Sequence, residues 1–237
     1  MRKLLLILLL IPSLCLAQKI TATSWLVADG SGNILESVNA DQQRSIASIT
    51  KLTTAMIILD AAQDLDEKIK GFTRRDWLHL MLVRSDNHAA EVLCENYPTG
   101  RAGCIGMMNW KAYSLGLINT HYSDPSGLNI MNVSTAQELL QLVLAASKYP
   151  EIIEASNIAH GRITKDGKKK HNFFFNNTNP LVATQDFIIS KTGYIRASGG
   201  CIVMMLDTKI GRRIVVLLNS KSVHTRIPEA RYLAMNF

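Results

Sequence analysis

The segment from Ser48 to Ala62 constrains this chain most. Apolar residues recur in it at helical spacing, at Ile49, Leu52, Ala55, Met56 and Leu59, and its only charges are Lys51 and Asp60. A helix apolar nearly all round must be enclosed by other elements, so a buried central helix is predicted. Upstream, the short apolar runs 25–28 and 34–38 surround Asp29-Gly30-Ser31-Gly32-Asn33, the pattern of a β-hairpin. Downstream, helices are expected over 74–83, 88–96, 109–115 and 134–147, with loop composition at Arg84-Ser85-Asp86-Asn87. After Lys148 the pattern turns to strands at 186–190, 201–206 and 213–219. A hairpin, a helical insert and a terminal set of strands predict an α/β fold of the α+β kind, an antiparallel sheet flanked by helices with a helical lobe inserted.

The first residues set the compartment. Arg2 and Lys3 precede the apolar run 4–11, followed by Pro12 and Ser13-Leu14-Cys15-Leu16-Ala17. This is the order of a secretory signal peptide, cleaved after Ala17, and the apolar run is too short to span a bilayer. The expected product is a secreted, periplasmic chain with no transmembrane segment. Residues 18–237 then form a single catalytic domain, with a sheet lobe at about 18–70 and 160–237 and a helical lobe at about 71–159.

The formal charge is +7, of which Arg2 and Lys3 supply two, leaving +5. That mild excess suits an anionic polymer. The only dense basic run, Lys168-Lys169-Lys170, follows Asp166-Gly167 and reads as a solvated turn, so no nucleic-acid partner is expected. Cys94 and Cys104 flank a loop with Pro and Gly, where an oxidising compartment permits a disulfide. Cys201, in an apolar run, reads as a buried thiol. No Cys/His spacing fits a metal, and no cofactor is expected.

Three short motifs carry the chemistry: Ser48-Ile49-Thr50-Lys51 at the start of the buried helix, Ser85-Asp86-Asn87 in the break between helices, and Lys191-Thr192-Gly193 at a strand end. Each alone is commonplace. In this order and on these elements they match the set found in penicillin-binding proteins and class A β-lactamases. Residues three apart on a helix share a face, so Ser48 Oγ and Lys51 Nζ can meet. A serine hydroxyl needs a base beside it, and lysine serves only when neutral. Burial and the nearby cation Lys191 would both lower the Lys51 pKa from its usual value of about 10.4. In this reading Ser48 is the nucleophile and Lys51 its base. Ser85 relays a proton between Lys51 and the leaving amine, and Asn87 holds Lys51 and the substrate amide. Lys191 and Thr192 bind the substrate carboxylate, and Gly193 leaves a strand edge open to an extended peptide.

The match extends beyond these motifs. Arg44-Ser45-Ile46-Ala47-Ser48-Ile49-Thr50-Lys51-Leu52, Asp124-Pro125-Ser126-Gly127-Leu128, Asn132-Val133-Ser134-Thr135-Ala136 and Asn177-Thr178-Asn179-Pro180-Leu181-Val182 all resemble segments of low-molecular-mass penicillin-binding proteins. With Lys191-Thr192-Gly193-Tyr194, the chain most resembles their D-alanyl-D-alanine endopeptidase branch, the penicillin-binding protein seven type. That resemblance implies a β-lactamase-like fold and a serine D,D-endopeptidase that hydrolyses D-alanyl to meso-diaminopimelyl cross-links in peptidoglycan through an acyl-enzyme. It also implies covalent inhibition by β-lactam antibiotics and an oxyanion hole made of the Ser48 and Tyr194 backbone N–H groups. The alternative is a D-alanyl-D-alanine carboxypeptidase with the same residues. A class A β-lactamase would need a deacylating glutamate, and no Glu-x-x-Leu-Asn segment is present. Two departures stand out. Only 69–73 lies between Asp66-Glu67-Lys68 and Arg74-Arg75-Asp76-Trp77, where members of the branch carry a longer insert. And the chain ends soon after the last strand, with room for a closing helix.

Overall fold

The computed structural model describes residues 19–165 and 171–237, so the expected signal peptide and the run Lys168–170 lie outside the described residues. In chain order the strands are β1 (Ser24–Asp29), β2 (Ile34–Val38) and β3 (Arg44–Ser45). A 3-10 turn at Ala47–Ile49 then leads into α1 (Thr50–Asp60). The helical part follows as β4 (Lys68–Ile69), β5 (Phe72–Thr73), α2 (Arg74–Leu82), α3 (Asn87–Glu95), α4 (Gly100–Ser114), β6 (Val133–Ser134), α5 (Ala136–Ala146) and α6 (Pro150–Asn157). The chain closes with β7 (His160–Lys165), β8 (His171–Asn176), a 3-10 turn at Pro180–Ala183, β9 (Phe187–Ile195), β10 (Gly199–Thr208), β11 (Gly211–Ser220) and α7 (Val223–Asn236).

The main sheet is antiparallel and runs β2-β1-β11-β10-β9, so the two ends of the chain build it together. Its central strands send alternate side chains to opposite faces, as the two-residue period of a strand requires. Leu26, Val203, Met205, Ile214 and Val216 enter the larger core with α1 and α5. Val27, Ile202, Met204, Leu206, Val215 and Leu217 enter a second core with Ala230, Leu233 and Ala234 of α7. With both faces covered, these strands are continuous apolar runs, as the sequence shows. α1 is buried on every side from Thr50 to Ile58.

Several expectations change in detail. Ser48 sits in the 3-10 turn rather than in the α-helix, and α1 begins two residues later. Lys191-Thr192-Gly193 lies inside β9, not at its end. α4 starts at Gly100, well before the expected 109. The strands expected after Lys148 are preceded by α6 and the two-stranded hairpin of β7 and β8. α6 is launched by Pro150 at its first turn, where the missing N–H costs nothing. The hairpin β7–β8 has mostly exposed residues, so no buried alternation announced it.

Cys94 on α3 and Cys104 on α4 form a disulfide, and Cys201 on β10 is a buried thiol. The short 69–73 stretch becomes the β4–β5 hairpin, whose Phe72 packs edge-on against Trp77 at 5.0 Å and Phe173 at 6.4 Å between ring centroids. Among the described residues no helix is long and apolar enough to cross a membrane.

Candidate active site

The three motifs meet at the boundary between the sheet edge and the helices. α1 is held by its apolar packing, and Lys51 on its first turn is fully buried. Its Nζ lies 2.8 Å from Ser48 Oγ, 2.7 Å from Asn87 Oδ1 and 2.5 Å from the Ser126 carbonyl oxygen. Asn87 is the first residue of α3, and the Asp86 carboxylate caps that helix by accepting from Ala89 N at 3.0 Å. The cap fixes where the Asn87 side chain starts.

The Ser126 carbonyl is aimed by a separate device. The Asp124 carboxylate accepts from Ser126 N (2.6 Å), Ser126 Oγ (2.8 Å), Gly127 N (2.7 Å) and Asn129 N (2.6 Å). Burial pushes the Asp124 pKa up, but these donors together hold it below the usual value. The fully buried Asn132 side chain ties the same loop to α1. It accepts from Ser123 N at 2.8 Å and donates to Asp124 O at 2.8 Å and Thr50 Oγ1 at 3.0 Å.

On the opposite wall, Lys191 of β9 is buried, with Nζ 2.8 Å from Ser85 Oγ and 2.8 Å from the Thr192 carbonyl oxygen. Thr192 Oγ1 donates to Thr178 Oγ1 at 2.6 Å, and Arg226 Nη1 donates to Gly193 O at 2.7 Å. β9 is the edge strand of the main sheet; Asn157 and Ser156 of α6 take the backbone of Phe187 and Ser190, and the edge beyond them can pair with an extended peptide.

Two glycines permit the close approach around Ser48. Gly127 has φ +84, and a Cβ there would lie 2.0 Å from the Ala47 carbonyl oxygen and 2.8 Å from Ser48 N. A Cβ on Gly193 would lie 2.9 Å from Ile46 O and 3.0 Å from Ser48 N. Ala47 and Ser85 adopt left-handed backbone angles, with φ +46 and +64. Each such conformation in a residue with a side chain costs on the order of 1–3 kcal/mol, held in place by the surrounding structure.

The electrostatics follow from burial. Desolvation lowers the Lys51 pKa to about 7, against the opposing pull of the Asp124, Asp86 and Glu91 carboxylates. Desolvation also sends Lys191 well below its ordinary value, helped by the charges of Lys51 and Arg226. A lysine poised near neutrality beside a serine hydroxyl can act on it as a general base.

All eight residues singled out from the motifs therefore sit in one place. Ser48, Ser85, Asn87, Thr192, Gly193 and Tyr194 line a cleft of about 210 Å³, with Lys51 and Lys191 buried in its floor and walls. One contact differs from expectation: Ser85 Oγ is bonded to Lys191, while Lys51 takes Asn87 and Ser126. Thr178 and Arg226 also line the cleft and carried no role in the motif reading. Thr178 lay within a recognisable segment, whereas nothing local marks Arg226, which reaches the cleft from the first turns of α7.

The profile of a family described as D-alanyl-D-alanine carboxypeptidase matches residues 13–71 and 64–222. A D-alanyl-D-alanine endopeptidase of Pseudomonas aeruginosa is 36% identical, the match covering 92% of this chain and 77% of that one. One of Escherichia coli is 37% identical, covering 91% of this chain and 76% of that one. Among solved structures, a Streptomyces DD-transpeptidase superposes with a TM-score of 0.85 at 25% identity, over 91% of this chain and 96% of that one. A penicillin-binding protein of Listeria monocytogenes in its ampicillin-bound form gives a TM-score of 0.79 at 27% identity, over 91% and 96%.

Proposed function

The chain belongs to the D-alanyl-D-alanine carboxypeptidase family, and from that membership we propose a serine D,D-endopeptidase that opens D-alanyl to meso-diaminopimelyl cross-links of peptidoglycan through an acyl-enzyme on Ser48. The observation that carries the chemistry is the Lys51 ammonium site, 2.8 Å from Ser48 Oγ and depressed by burial toward neutrality.

The donor strand pairs along the open edge of β9, which brings its D-alanyl carbonyl over Ser48. Neutral Lys51 takes the Ser48 proton as Oγ bonds to the carbonyl carbon. The resulting oxyanion is met by the backbone N–H groups of Ser48 and Tyr194. Asn87 accepts from Lys51 and so holds the ammonium that forms. The carbon–nitrogen bond then breaks, and the diaminopimelyl nitrogen leaves as an amine with a proton returned through Lys51 and Ser85. The bond from Lys191 Nζ to Ser85 Oγ orients that hydroxyl. Water attacks the ester in turn, with Lys51 again the base, and releases the D-alanyl carboxylate. Thr192 and the guanidinium of Arg226, with Lys191 Nζ on the Thr192 carbonyl beside them, form the end of the cleft suited to the carboxylate of the leaving residue. β-Lactams would acylate Ser48 by the same route.

Export by residues 1–17 into the periplasm is part of this proposal. The Cys94–Cys104 disulfide supports it, since such bonds persist in oxidising compartments.

The test offers the purified protein a cross-linked muropeptide dimer and an uncross-linked pentapeptide, beside a Ser48→Ala control, with products read by mass. Dimer converted to monomers by the wild type alone supports the proposal. Loss of one D-alanine from the pentapeptide, with the dimer untouched, makes the protein a carboxypeptidase instead.

A further inference from the structure

Thr178 and Arg226, which line the cleft, also line a second hollow of about 440 Å³. Its remaining walls are Pro180, Val223, His224, Ile227 and Pro228, mostly apolar with one imidazole at the rim. The shared residues are firmly placed. Thr178 takes the Thr192 hydroxyl at 2.6 Å, and Arg226 holds the Gly193 carbonyl at 2.7 Å. The two hollows therefore adjoin at Thr178 and Arg226, and the second lies past the carboxylate end of the cleft, over the start of α7. Ile227 and Pro228 carry it on toward Leu181 and Arg231.

What passes that point depends on the leaving residue. With its carboxylate at Thr192 and Arg226, a terminal D-alanine has only a methyl group to place. The diaminopimelyl residue of a cross-link continues as a three-methylene spacer, then a second amino-acid centre with a peptide attached. That is an apolar stretch followed by a polar one, and the hollow offers walls of both kinds, Val223 and Ile227 with His224 beside them. Its volume falls in the range of pockets that hold small ligands.

We propose that the hollow bounded by Pro180, Val223, His224 and Ile227 is the subsite for the leaving strand of a cross-linked peptide. The spacer lies along Val223 and Ile227, and the second centre lies beside His224. This rests on the endopeptidase reading and gives it a structural basis for preferring cross-linked over terminal substrates.

The test fills the hollow with His224→Trp and, separately, Val223→Trp. His224 is exposed and only its backbone N–H enters the Ser222 cap, so that exchange leaves the helix start intact. The subsite predicts a fall of roughly tenfold or more in kcat/KM for the cross-linked dimer. Pentapeptide hydrolysis and penicillin acylation stay near wild type. The same substitutions placed in Ser48→Ala, with dimer binding read by calorimetry, need no turnover. If the wild type cuts no dimer, yet Ser48→Ala binds it and loses binding with His224→Trp, the subsite stands and the endopeptidase reading falls. Dimer binding and hydrolysis unchanged in both variants would overturn the subsite. So would a parallel loss of penicillin acylation in both.

Discussion

Lys51 Nζ sits 2.8 Å from Ser48 Oγ across the junction between a 3-10 turn and a buried helix, so this pair is fixed by the packing of the core. The same burial that encloses α1 on every side lowers the Lys51 pKa to about 7. The placement of Lys51 beside Ser48 and its lowered pKa thus share one cause.

The first consequence is a pH profile. Acylation needs Lys51 neutral, so its rate rises with pH through about 7 and levels above. Below that value each pH unit removes about tenfold of the neutral base. The second-order rate of penicillin acylation, measured from pH 5 to 9, checks the limb. Lys51→Arg should abolish it at every pH, because a guanidinium stays charged.

Gly127 should not tolerate a side chain. Gly127→Ala drives a methyl group into the Ala47 carbonyl and forces alanine to φ +84. The expected cost is roughly 1–3 kcal/mol for the backbone conformation, plus the displacement of Ser48. Thermal unfolding combined with penicillin acylation reads both effects. An acylation loss beyond what stability explains marks the shift of Ser48.

Asn132 supports the same loop from below. Asn132→Ala leaves Ser123 N and the Asp124 carbonyl oxygen without their present partner. Each unsatisfied buried group costs about 1–3 kcal/mol. A fall of that size in the denaturant midpoint free energy is expected, with slower acylation because Ser126 O no longer holds Lys51 in place.

Much of this was legible in the sequence, for physical reasons. The buried helix and the central strands announce themselves through apolar runs that only a covered sheet needs. The pairing of Ser48 with Lys51 was readable because the two are local to one helical turn. The supports of the site were harder to read. Asp124 and Asn132 act through backbone groups, and the bonds of Asn132 to Thr50 span distant parts of the chain. Arg226 arrives from α7 with no local pattern. The missed elements share a cause as well. α4 carries Gly100, Gly103 and Gly106, which depress helix propensity, and the disulfide from Cys104 to α3 helps hold it. β7 and β8 are exposed and polar, so no periodic burial marks them.

The disulfide should matter to stability more than to chemistry, since Cys94 and Cys104 do not line the cleft. The double variant Cys94→Ser, Cys104→Ser should lose about 2–4 kcal/mol while still acylating at low temperature. Unfolding with and without reductant gives the same comparison in the wild type.

Penicillin should remain attached. The described residues lining the cleft include no carboxylate to activate a water, and the opened ring of penicillin, unlike the departing peptide amine, stays bonded to the acyl group and blocks the side from which Lys51 would deliver one. The acyl-enzyme is therefore expected to persist long after free drug is removed, as followed by intact-protein mass. Rapid return of the free mass would place the protein with the β-lactamases.

The most direct measurement is the site of that adduct. Purified protein is incubated with penicillin, and the labelled peptide is mapped by mass, with Ser48→Ala treated in parallel. A single penicilloyl group on Ser48, absent from the variant, is the predicted result. Labelling at another serine, or a variant that labels as well as the wild type, would contradict the account.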